Sequence, residues 1–317
     1  MSREDMPSIV FVQGPSRLPP PPKGAKTAAV LDVAFASGES FELVTEPFIQ
    51  SLGRRLLLWC DHHEHPMGWA KYQPDSRFLL VPNRIAHACP ELITPEVASR
   101  IGRPDALFVH ADLDGILTAV KLLRGGEEAW PGADEDARAV DSPGRGHHLS
   151  QRGELLAMAI DEALSAFTAG ARRDFLKALT ESLALGEIPE TLMDEVMRAA
   201  EATRTALRAS EEMAELCGRF ESRGVYAVRI EGRQKGRMRK SLLRFAEEKA
   251  LIGVVIETDP ASGHAWLTAA TFDGELDLSA VPALLGGRSD FRGAESNSGP
   301  AAFGEILRRL SLLAAER

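Results

Sequence analysis

Side chains that commonly bind metal ions follow three strand-like apolar segments of this chain. They are Asp32 in VLDVAF, Asp61, His62 and His63 in LLLWCDHHEHP, and His110, Asp112 and Asp114 in ALFVHADLDG. Since the carboxyl ends of parallel strands meet at one edge of an α/β sheet, we expect these side chains to converge on one crevice. Carboxylates gathered there would repel one another and raise one another's pKa values unless a cation neutralised them. The sequence therefore predicts a site for two divalent cations about 3.5–4 Å apart.

The mixture of ligands indicates which cation would bind. Carboxylate-rich sites with one or two imidazoles suit Mn²⁺ and, less strictly, Mg²⁺ or Fe²⁺, so we predict two Mn²⁺ ions, with Mg²⁺ as the alternative. The three cysteines, Cys60, Cys89 and Cys217, are widely spaced and form neither a CxxC zinc motif nor a disulfide framework, so we interpret them as buried thiols. Taken singly, adjacent histidines could be a surface pair and DLDG a common turn. Their joint occurrence at strand ends favours metal binding.

The elements that must position these residues alternate between strands and helices. Apolar runs of strand length occur at TAAVLDVAF, LLLWCDHH and PDALFVHADLDG, and helical patterns occur at EPFIQSLGRR and GILTAVKLLRGG. We predict a fourth strand at ARAVDSPG. This alternation is typical of an α/β fold with a doubly wound, mainly parallel sheet.

The pattern changes twice in the rest of the chain. Helical periodicity prevails from about residue 150 to 218, and strand patterns return at GVYAVRIEG, LIGVVIETD and HAWLTAATFDG around a helix at KSLLRFAEEKA. We therefore predict three parts: a metal-binding α/β domain at residues 1–168, a helical connector at 169–222 and a smaller α+β domain at 223–317.

Composition excludes some classes of function. The formal net charge is −9 and the isoelectric point is near 5.5, which argues against a protein that coats duplex nucleic acid by bulk electrostatics. The amino terminus has no signal-like apolar core, and no segment approaches the roughly 18 apolar residues that span a bilayer. We expect a soluble, cytoplasmic protein without a membrane partner.

WCDHHEH, VHADLDGILTA and VLDVAF together resemble the motifs of the DHH phosphoesterase superfamily. That family includes RecJ-type exonucleases, nanoRNases, phosphodiesterases of cyclic dinucleotides and manganese pyrophosphatases. Its H-x-D-x-D-G motif comes first, an aspartate strand second, DHH third and a further aspartate fourth. Here the aspartate strand and DHH precede HADLDG, so the resemblance implies a circularly permuted catalytic domain. Because parallel strands fix the site in space and not in sequence, the permutation can leave the metal cluster intact.

The resemblance implies a ligand set shared between two cations. One cation would be held by Asp32, His110 and Asp112. The other would be held by Asp32, His62, Asp114 and a fourth aspartate, with Asp32 bridging the two.

The resemblance also implies roles for three further positions. His63 would face the substrate phosphate, and Asp61 would orient a histidine. For the fourth aspartate we predict Asp161, which interrupts the apolar helix LLAMAIDEALSAF, and we retain Asp141 in AVDSPG as the alternative.

The C-terminal segment LDLSAVPALLGGRSDFRGAESNSGPAAFGEIL resembles the DHHA1 domain, in which a Gly-Gly loop cradles part of the substrate with backbone N–H groups. The resemblance implies that Gly286 and Gly287 bind substrate. We add Arg288 and Arg292 as candidates because a guanidinium suits a phosphate, although the family often has a histidine where Arg288 stands. A Gly-rich turn without a ligand is the plain alternative.

A basic cluster precedes this segment in a chain that is acidic overall. It could receive a polyanionic substrate or be a solvated surface. Its members are Arg229, Arg233, Lys235, Arg237, Arg239, Lys240 and Arg244.

These features predict a Mn²⁺-dependent phosphoesterase that hydrolyses short oligonucleotides or dinucleotides by metal-assisted attack of water. The expected partner is a short single-stranded nucleic acid or a nucleotide, and the resemblance allows a homodimer. A phosphatase acting on nucleoside bisphosphates, or a pyrophosphatase, is the alternative within the same family. A non-catalytic protein that senses a nucleotide is the alternative of another class, which the complete ligand set disfavours.

Overall fold

The computed structural model describes residues 5–141, 148–216, 218–234, 236–273, 275–288 and 290–317 of the chain. The chain divides into two compact units, Met1–Ala202 and Thr203–Arg317. The division falls within one long helix, Glu190–Leu216, that the sequence analysis assigned to the connector.

The first unit contains a five-stranded sheet in which all neighbouring strands are parallel. The spatial order is β1-β5-β2-β3-β4, so the strand that comes last in sequence lies between the first two. Every residue of β2 is buried, as expected for a central strand with both faces covered. The strands are β1 Ser8–Val12, β2 Ala28–Leu31, β3 Leu56–Asp61, β4 Phe78–Leu80 and β5 Ala106–His110.

Helices pack on both faces of this sheet. One face, which includes Leu31, Leu58 and Val109, shares a core with the fourth, sixth and seventh helices, and the other face packs on an aromatic cluster around Trp59. The helices are α1 Glu46–Leu52, α2 Pro66–Tyr72, α3 Pro95–Ile101, α4 Leu113–Leu123, α5 Ala133–Asp141, α6 Gln151–Ala166, α7 Ala169–Leu185 and α8 Glu190–Leu216.

Helix α7 lies in the region that the sequence analysis assigned to a connector. Its residues Leu176, Leu179 and Leu183 are buried in the same core as α4 and the sheet. The structure therefore places α7 within the compact first unit.

The fourth strand predicted at ARAVDSPG is wrong, because the described part of this segment is the end of helix α5. Ala133 and Ala137 are buried and lie four residues apart, and Val140 follows three residues later, so the apolar positions have helical spacing. The segment ARAVDSPG is too short to show this helical period by itself. The rest of the segment, from residue 142, lies outside the described residues.

The second unit contains a six-stranded mixed sheet with the order β10-β11-β9-β8-β7-β6. Only β7 and β8 are parallel neighbours. The α+β character expected for this region is confirmed. The strands are β6 Gly218–Ser222, β7 Val225–Glu231, β8 Ile252–Thr258, β9 Ala265–Ala270, β10 Leu285–Arg288 and β11 Phe291–Ser296, and the helices are α9 Gly236–Lys249 and α10 Gly304–Ala315.

The two helices of the second unit cover opposite faces of its sheet. Leu310 of α10 is buried against the face that carries Val254, whereas Leu242 of α9 is buried against the face that carries Val255. Among the described residues, no helix is both long and apolar enough to cross a bilayer.

Candidate metal centre

The three strand ends singled out in the sequence converge at the carboxyl edge of the first sheet. The Nε2 atom of His62 lies 3.4–3.5 Å from a carboxylate oxygen of each of three aspartates, Asp32, Asp114 and Asp141. These residues follow or lie near the ends of β2, β3, β5 and α5, so four elements contribute to one cluster. The fold brings together most of the predicted ligands.

A second group of ligand atoms lies on the other side of Asp32. The Nδ1 atom of His110 is 2.6 Å from Asp112 Oδ2 and 3.5 Å from Asp32 Oδ2, whereas Asp32 Oδ1 is the oxygen closest to His62. The two oxygens of Asp32 therefore point to two different sets of ligand atoms. This arrangement suits a carboxylate that bridges two cations.

The backbone of Asp32 is held in an uncommon conformation. Its φ is +58°, the single positive value among the described non-glycine residues, and its N–H donates to the carbonyl of Cys60 at 2.8 Å. A left-handed conformation costs an L-residue roughly 1–2 kcal/mol, although aspartate and asparagine tolerate it better than most. The sheet thus imposes a free-energy cost on the backbone of Asp32, the residue whose carboxylate both ligand sets share. Backbone strain of this kind is common at functional sites.

Several buried polar atoms of the cluster have no hydrogen-bond partner among the described residues. They include both carboxylate oxygens of Asp32 and the Nε2 atom of His62, all fully buried. An unsatisfied buried polar group costs about 1–3 kcal/mol, and a charged one costs more. Divalent cations would satisfy these oxygen and nitrogen atoms at once, so the donor set fits such a metal centre.

A backbone carbonyl fixes the orientation of His62. The Nδ1 atom lies 2.9 Å from the carbonyl oxygen of Ala86. Since a carbonyl only accepts, Nδ1 carries the proton of this hydrogen bond, and once Nε2 loses its proton its lone pair would be available to a cation among the aspartates. This is the usual arrangement of a metal-binding histidine.

Without a cation, the imidazoles of His62 and His110 supply the positive charge that balances the aspartates of the cluster. Burial alone would lower the pKa of His62, but its contact with Asp32 at 3.5 Å and the charges of Asp114 and Asp141 outweigh burial and raise the pKa to about 11. Burial is likewise outweighed at His110, where the charges and close contacts of Asp112 and Asp32 raise the pKa to about 11. Burial and the charge of Asp32 raise the pKa of Asp114 well above its usual range. Both imidazoles are therefore protonated at neutral pH in the metal-free protein.

Binding of Mn²⁺ is consequently expected to release protons. A histidine must be neutral and a carboxyl group ionised to bind a metal. Occupation of both ligand sets at pH 7.5 should therefore release at least about two protons, from His62 and His110, and a further one from Asp114 where its raised pKa keeps it protonated. The apparent affinity should rise with pH as long as these groups titrate. Calorimetric titrations in two buffers with different ionisation enthalpies measure the number released. The variant His62→Gln should release about one proton fewer. A binding enthalpy that is independent of the buffer would contradict the expectation.

Asp61 fixes the neighbouring histidine of the DHH motif. It is fully buried at the end of β3, and its Oδ1 accepts the side-chain Nδ1–H of His63 at 2.9 Å and the backbone N–H at 3.2 Å. Burial opposes protonation of His63, but the hydrogen bond and charge of Asp61 raise its pKa. The His63 side chain retains 21% of its exposure, whereas that of His62 is fully buried. His63 is therefore the member of the pair that can contact a ligand from solvent.

The HADLDG motif forms the start of α4. Asp112 is the N-cap of this helix and its Oδ1 accepts the N–H of Gly115 at 2.9 Å. A Cβ atom at Gly115 would lie 2.4 Å from the carbonyl oxygen of His110, so the tight turn requires glycine there. Asp114, in the first turn, accepts the N–H of Cys89 at 3.1 Å, which fixes its carboxylate toward His62.

Asp161, the predicted fourth aspartate, does not lie in this cluster. It is an exposed residue of α6, and the described ligand groups include Asp141 in its place. Asp141 is the last residue of α5, and its Oδ2 is 3.4 Å from His62 Nε2. Asp161 interrupts an apolar sequence, but its neighbours Ile160 and Ala163 face the core while the aspartate faces outward. We therefore propose the alternative, Asp141, as the fourth aspartate.

The loop after β4 supplies contacts that sequence reasoning missed. Asn83 Nδ2 donates to Asp141 Oδ2 at 3.2 Å and lies 3.4 Å from His62 Nδ1, while Ala86 supplies the carbonyl that orients His62. Neither residue type is a typical metal ligand. The one available signal was the position of the loop after a strand of the same sheet.

The Gly-Gly pair lies within β10, where it forms an irregular turn of the backbone at which the register of pairing with β11 shifts. Gly286 and Gly287 both have positive φ, +67° and +79°, and the side chain of Arg292 donates to the Gly286 carbonyl at 3.3 Å. Arg292 therefore contacts the turn itself. The backbone of Arg288 belongs to β10, but its side chain lies outside the described part of the chain.

Replacement of Gly287 by alanine is expected to disrupt this turn. A Cβ atom there would lie 2.0 Å from the carbonyl oxygen of Phe291, and the positive φ adds strain. We expect unfolding of the second unit to become easier by at least about 2 kcal/mol, measured by urea denaturation. Gly286→Ala is the matched control, because φ is also positive but no atom lies within 4 Å, so it should cost about 1 kcal/mol. Equal losses in the two variants would show that the close contact is unimportant.

The structure resembles solved enzymes of low sequence identity. It is similar to a pGpG-specific phosphodiesterase, PggH from Vibrio cholerae, with a TM-score of 0.50 and 12% identity over 82% of this chain and 79% of that chain. The chain has the fold of the DHH phosphoesterases. The resemblance predicted from the motifs is thus confirmed at the level of the fold. The permuted motif order does not move the motifs apart in space, because β5 pairs directly with β2.

Two further solved structures are similar over most of this chain. One is an exopolyphosphatase-related protein from Bacteroides fragilis, with a TM-score of 0.49 and 11% identity over 92% of this chain and 74% of that chain. The other is exonuclease RecJ bound to manganese, with a TM-score of 0.42 and 16% identity over 92% and 76% of the two chains. No family model and no curated protein matches the sequence.

Proposed function

We propose that this protein is a metal-dependent phosphodiesterase that hydrolyses short oligonucleotides or dinucleotides with two Mn²⁺ ions. The observation that carries the proposal is the position of Asp32 between two sets of ligand atoms. The DHH fold, which the protein shares with a phosphodiesterase of pGpG, supports a small nucleotide phosphodiester as the substrate.

The distances support one assignment of ligands to the two cations. Asp32, His110 and Asp112 would hold one cation, and Asp32, His62, Asp114 and Asp141 would hold the other. When bound, such a pair of cations lowers the pKa of an attacking water and neutralises charge on the phosphoryl oxygens.

His63 and Asp61 act on the substrate side of this centre. The Nδ1–H of His63 is engaged by Asp61, so Nε2 is the ring atom left to donate to a phosphoryl oxygen. The raised pKa of His63 favours its protonated form, which would stabilise negative charge that develops there. The buried carboxylate of Asp61 keeps the ring in this orientation as charge shifts during the reaction.

The basic cluster contributes less free charge than its sequence suggests. Arg239 donates to Glu257 at 2.7 Å, and this glutamate is fully buried at the end of β8, so Arg239 neutralises it. Arg229 and Arg233 are exposed and can contact a polyanion. We propose that the second unit receives the substrate chain through these residues and the Gly286–Gly287 turn.

Hydrolysis by metal-stripped protein refilled with Mn²⁺ tests the proposal. A short RNA, a linear dinucleotide, a cyclic dinucleotide, adenosine 3′,5′-bisphosphate and pyrophosphate would be compared side by side. We expect Mn²⁺-dependent turnover of the short RNA or linear dinucleotide that is lost in His62→Ala and retained in His148→Ala, an exposed histidine outside the cluster. Turnover of bisphosphate or pyrophosphate alone would favour the small-molecule phosphatase. Mn²⁺ binding without any turnover would favour the nucleotide sensor.

A further inference from the structure

One face of the six-stranded sheet carries apolar and aromatic side chains that α9 does not cover. On this face α9 packs over Val228 and Val255 of the inner strands and over Ala270 at the end of β9, which leaves the rest of β9, β11 and β10 at the side. Cross-strand pairing places Phe291 opposite Ala270, Gly293 opposite Thr268 and Leu285 opposite Gly293, and alternate residues of a strand share one face. We call these residues the aromatic strip: Trp266, Thr268, Leu285, Phe291 and Gly293.

The strip is open to solvent along its length. Phe291 is 38% exposed and Leu285 is 71% exposed, and Trp266 and Thr268 are partly exposed. Thr268 and Gly293, both small, lie between the two aromatic rings, with Ala270 opposite Phe291 and Glu295 opposite Trp266 on the same face. Such a shallow, smooth surface between aromatic side chains can accept flat ring systems.

An arginine is stacked on the tryptophan of the strip. The guanidinium carbon of Arg233 lies 4.2 Å from the ring centroid of Trp266. Arg233 is exposed and, within the ranges that the structure describes, has no carboxylate partner. His264 supports the indole from its edge, with ring centroids 4.3 Å apart, and its Nε2 lies 3.7 Å from the exposed carboxylate of Glu295. The unpaired guanidinium favours an anionic ligand.

The same chain contains a structural arginine-tryptophan pair for comparison. Arg152 lies 4.7 Å from the ring centroid of Trp130, but Trp130 is only 8% exposed and its Nε1–H donates to Asp136 at 3.0 Å. The Trp130 indole is therefore buried, and its one hydrogen-bond donor is already paired. In the described structure Trp266 has no such partner for its Nε1–H, and its ring is more exposed. The contrast indicates that the stacked side chains of Trp266 and Arg233 are available to bind a ligand.

We propose that the aromatic strip binds the nucleobases of a short single-stranded nucleic acid, with one base against Trp266 and Arg233 and a second against Phe291. Aromatic rings and guanidinium planes are the usual stacking surfaces for unpaired bases, and a free guanidinium also attracts the phosphate backbone. Trp266 and Phe291 are offset by four residues along the sheet, roughly 14 Å at the rise of a strand, so one base cannot contact both. The inference rests on the proposed phosphodiesterase and selects oligonucleotides over bisphosphates or pyrophosphate as its substrates.

The binding test compares two ligands that differ only in their bases. One is a fluorescently labelled RNA tetranucleotide, and the other is an abasic oligomer with the same number of phosphates and the same label. Dissociation constants are measured by anisotropy on the full chain in EDTA, which prevents turnover. We expect Trp266→Ala and Phe291→Ala each to raise the dissociation constant of the RNA about 5- to 150-fold without changing that of the abasic oligomer.

Matched variants separate stacking from folding. Trp266→Phe should keep most of the affinity because it keeps a ring, and Arg152→Ala, which alters the structural pair, should bind RNA like the wild type. Arg233→Ala should weaken binding of RNA more than that of the abasic oligomer. Since Arg233 is exposed, this variant tests the strip even if Trp266→Ala does not fold.

The outcomes also separate this inference from the proposed function. Wild-type binding of RNA that depends on Trp266, without hydrolysis of any phosphoester, would retain the strip and refute the phosphodiesterase. Mn²⁺-dependent hydrolysis of RNA with affinities unchanged in the strip variants would retain the enzyme and refute the strip. Equal loss of affinity for both oligomers in the folded variants would also refute it.

Discussion

Replacement of Asp32 by asparagine is expected to abolish phosphoester hydrolysis and Mn²⁺ binding while leaving the fold intact. The two carboxylate oxygens face separate ligand sets, one toward His62 and one toward His110, and a neutral amide cannot bridge two cations. Because a cation pair contributes several kcal/mol to the transition state, we expect kcat to fall at least about 10³-fold. Asparagine tolerates the positive φ of this position as well as aspartate does, so the backbone need not change.

Thermal unfolding with and without Mn²⁺ provides the second readout for this variant. Ligand binding to the native state raises the unfolding midpoint, so the wild type should be stabilised by Mn²⁺ and Asp32→Asn should not. Asp105→Asn is the control, since Asp105 lies at the opposite edge of the sheet, where its carboxylate accepts the backbone N–H groups of Lys26 and Thr27. That variant should lose stability and retain the shift caused by Mn²⁺. Normal Mn²⁺-dependent turnover in Asp32→Asn would disprove the bridging role.

The paired variants Asp141→Asn and Asp161→Asn decide which residue is the fourth aspartate. Asp141 Oδ2 is 3.4 Å from His62 Nε2, whereas Asp161 is exposed on α6. Loss of one anionic ligand should lower kcat about 10²-fold or more in Asp141→Asn and weaken Mn²⁺ binding, while Asp161→Asn should remain within about twofold of the wild type. An asparagine at position 141 can still accept from Asn83, which limits any effect on folding.

Steady-state kinetics and Mn²⁺ titrations of both variants give the answer. If Asp161→Asn is inactive and Asp141→Asn is not, the choice made from the sequence would stand and the cluster geometry would not describe the working enzyme. If both variants are fully active, neither residue is a ligand.

Convergence of the site could be predicted because it follows from parallel strands alone. Asp32, the DHH motif and HADLDG each stand at the end of an apolar run, and any parallel sheet brings such ends to one edge. The parts that could not be predicted depend on helix phase and loop path. Asp161 is one helical position away from the buried residue Ile160, and sequence reasoning did not determine which of them faces the core.

Contacts made by backbone groups, or by polar residues that belong to no motif, could not be predicted from the sequence. The carbonyl of Ala86 orients His62, yet any residue could supply it. In the second unit, Arg239 appears in sequence as one of many basic residues, and only the structure shows that it neutralises the buried Glu257. The roles of the Ala86 carbonyl and of Arg239 depend on partners that are distant in sequence. The periodicity of apolar residues carries no information about such partners.

The position of β5 between β1 and β2 has a consequence for how the protein is made. On the ribosome, β1 to β4 emerge before residues 106–110, so the facing edges of β1 and β2 stay unpaired in the nascent chain until β5 arrives. Unpaired strand edges promote misassembly, and pairing of distant segments is slow. The same strand carries His110 and leads into Asp112 and Asp114, so the metal cluster cannot form early. Biogenesis of this protein should therefore depend on protection of the growing chain until β5 is in place between β1 and β2.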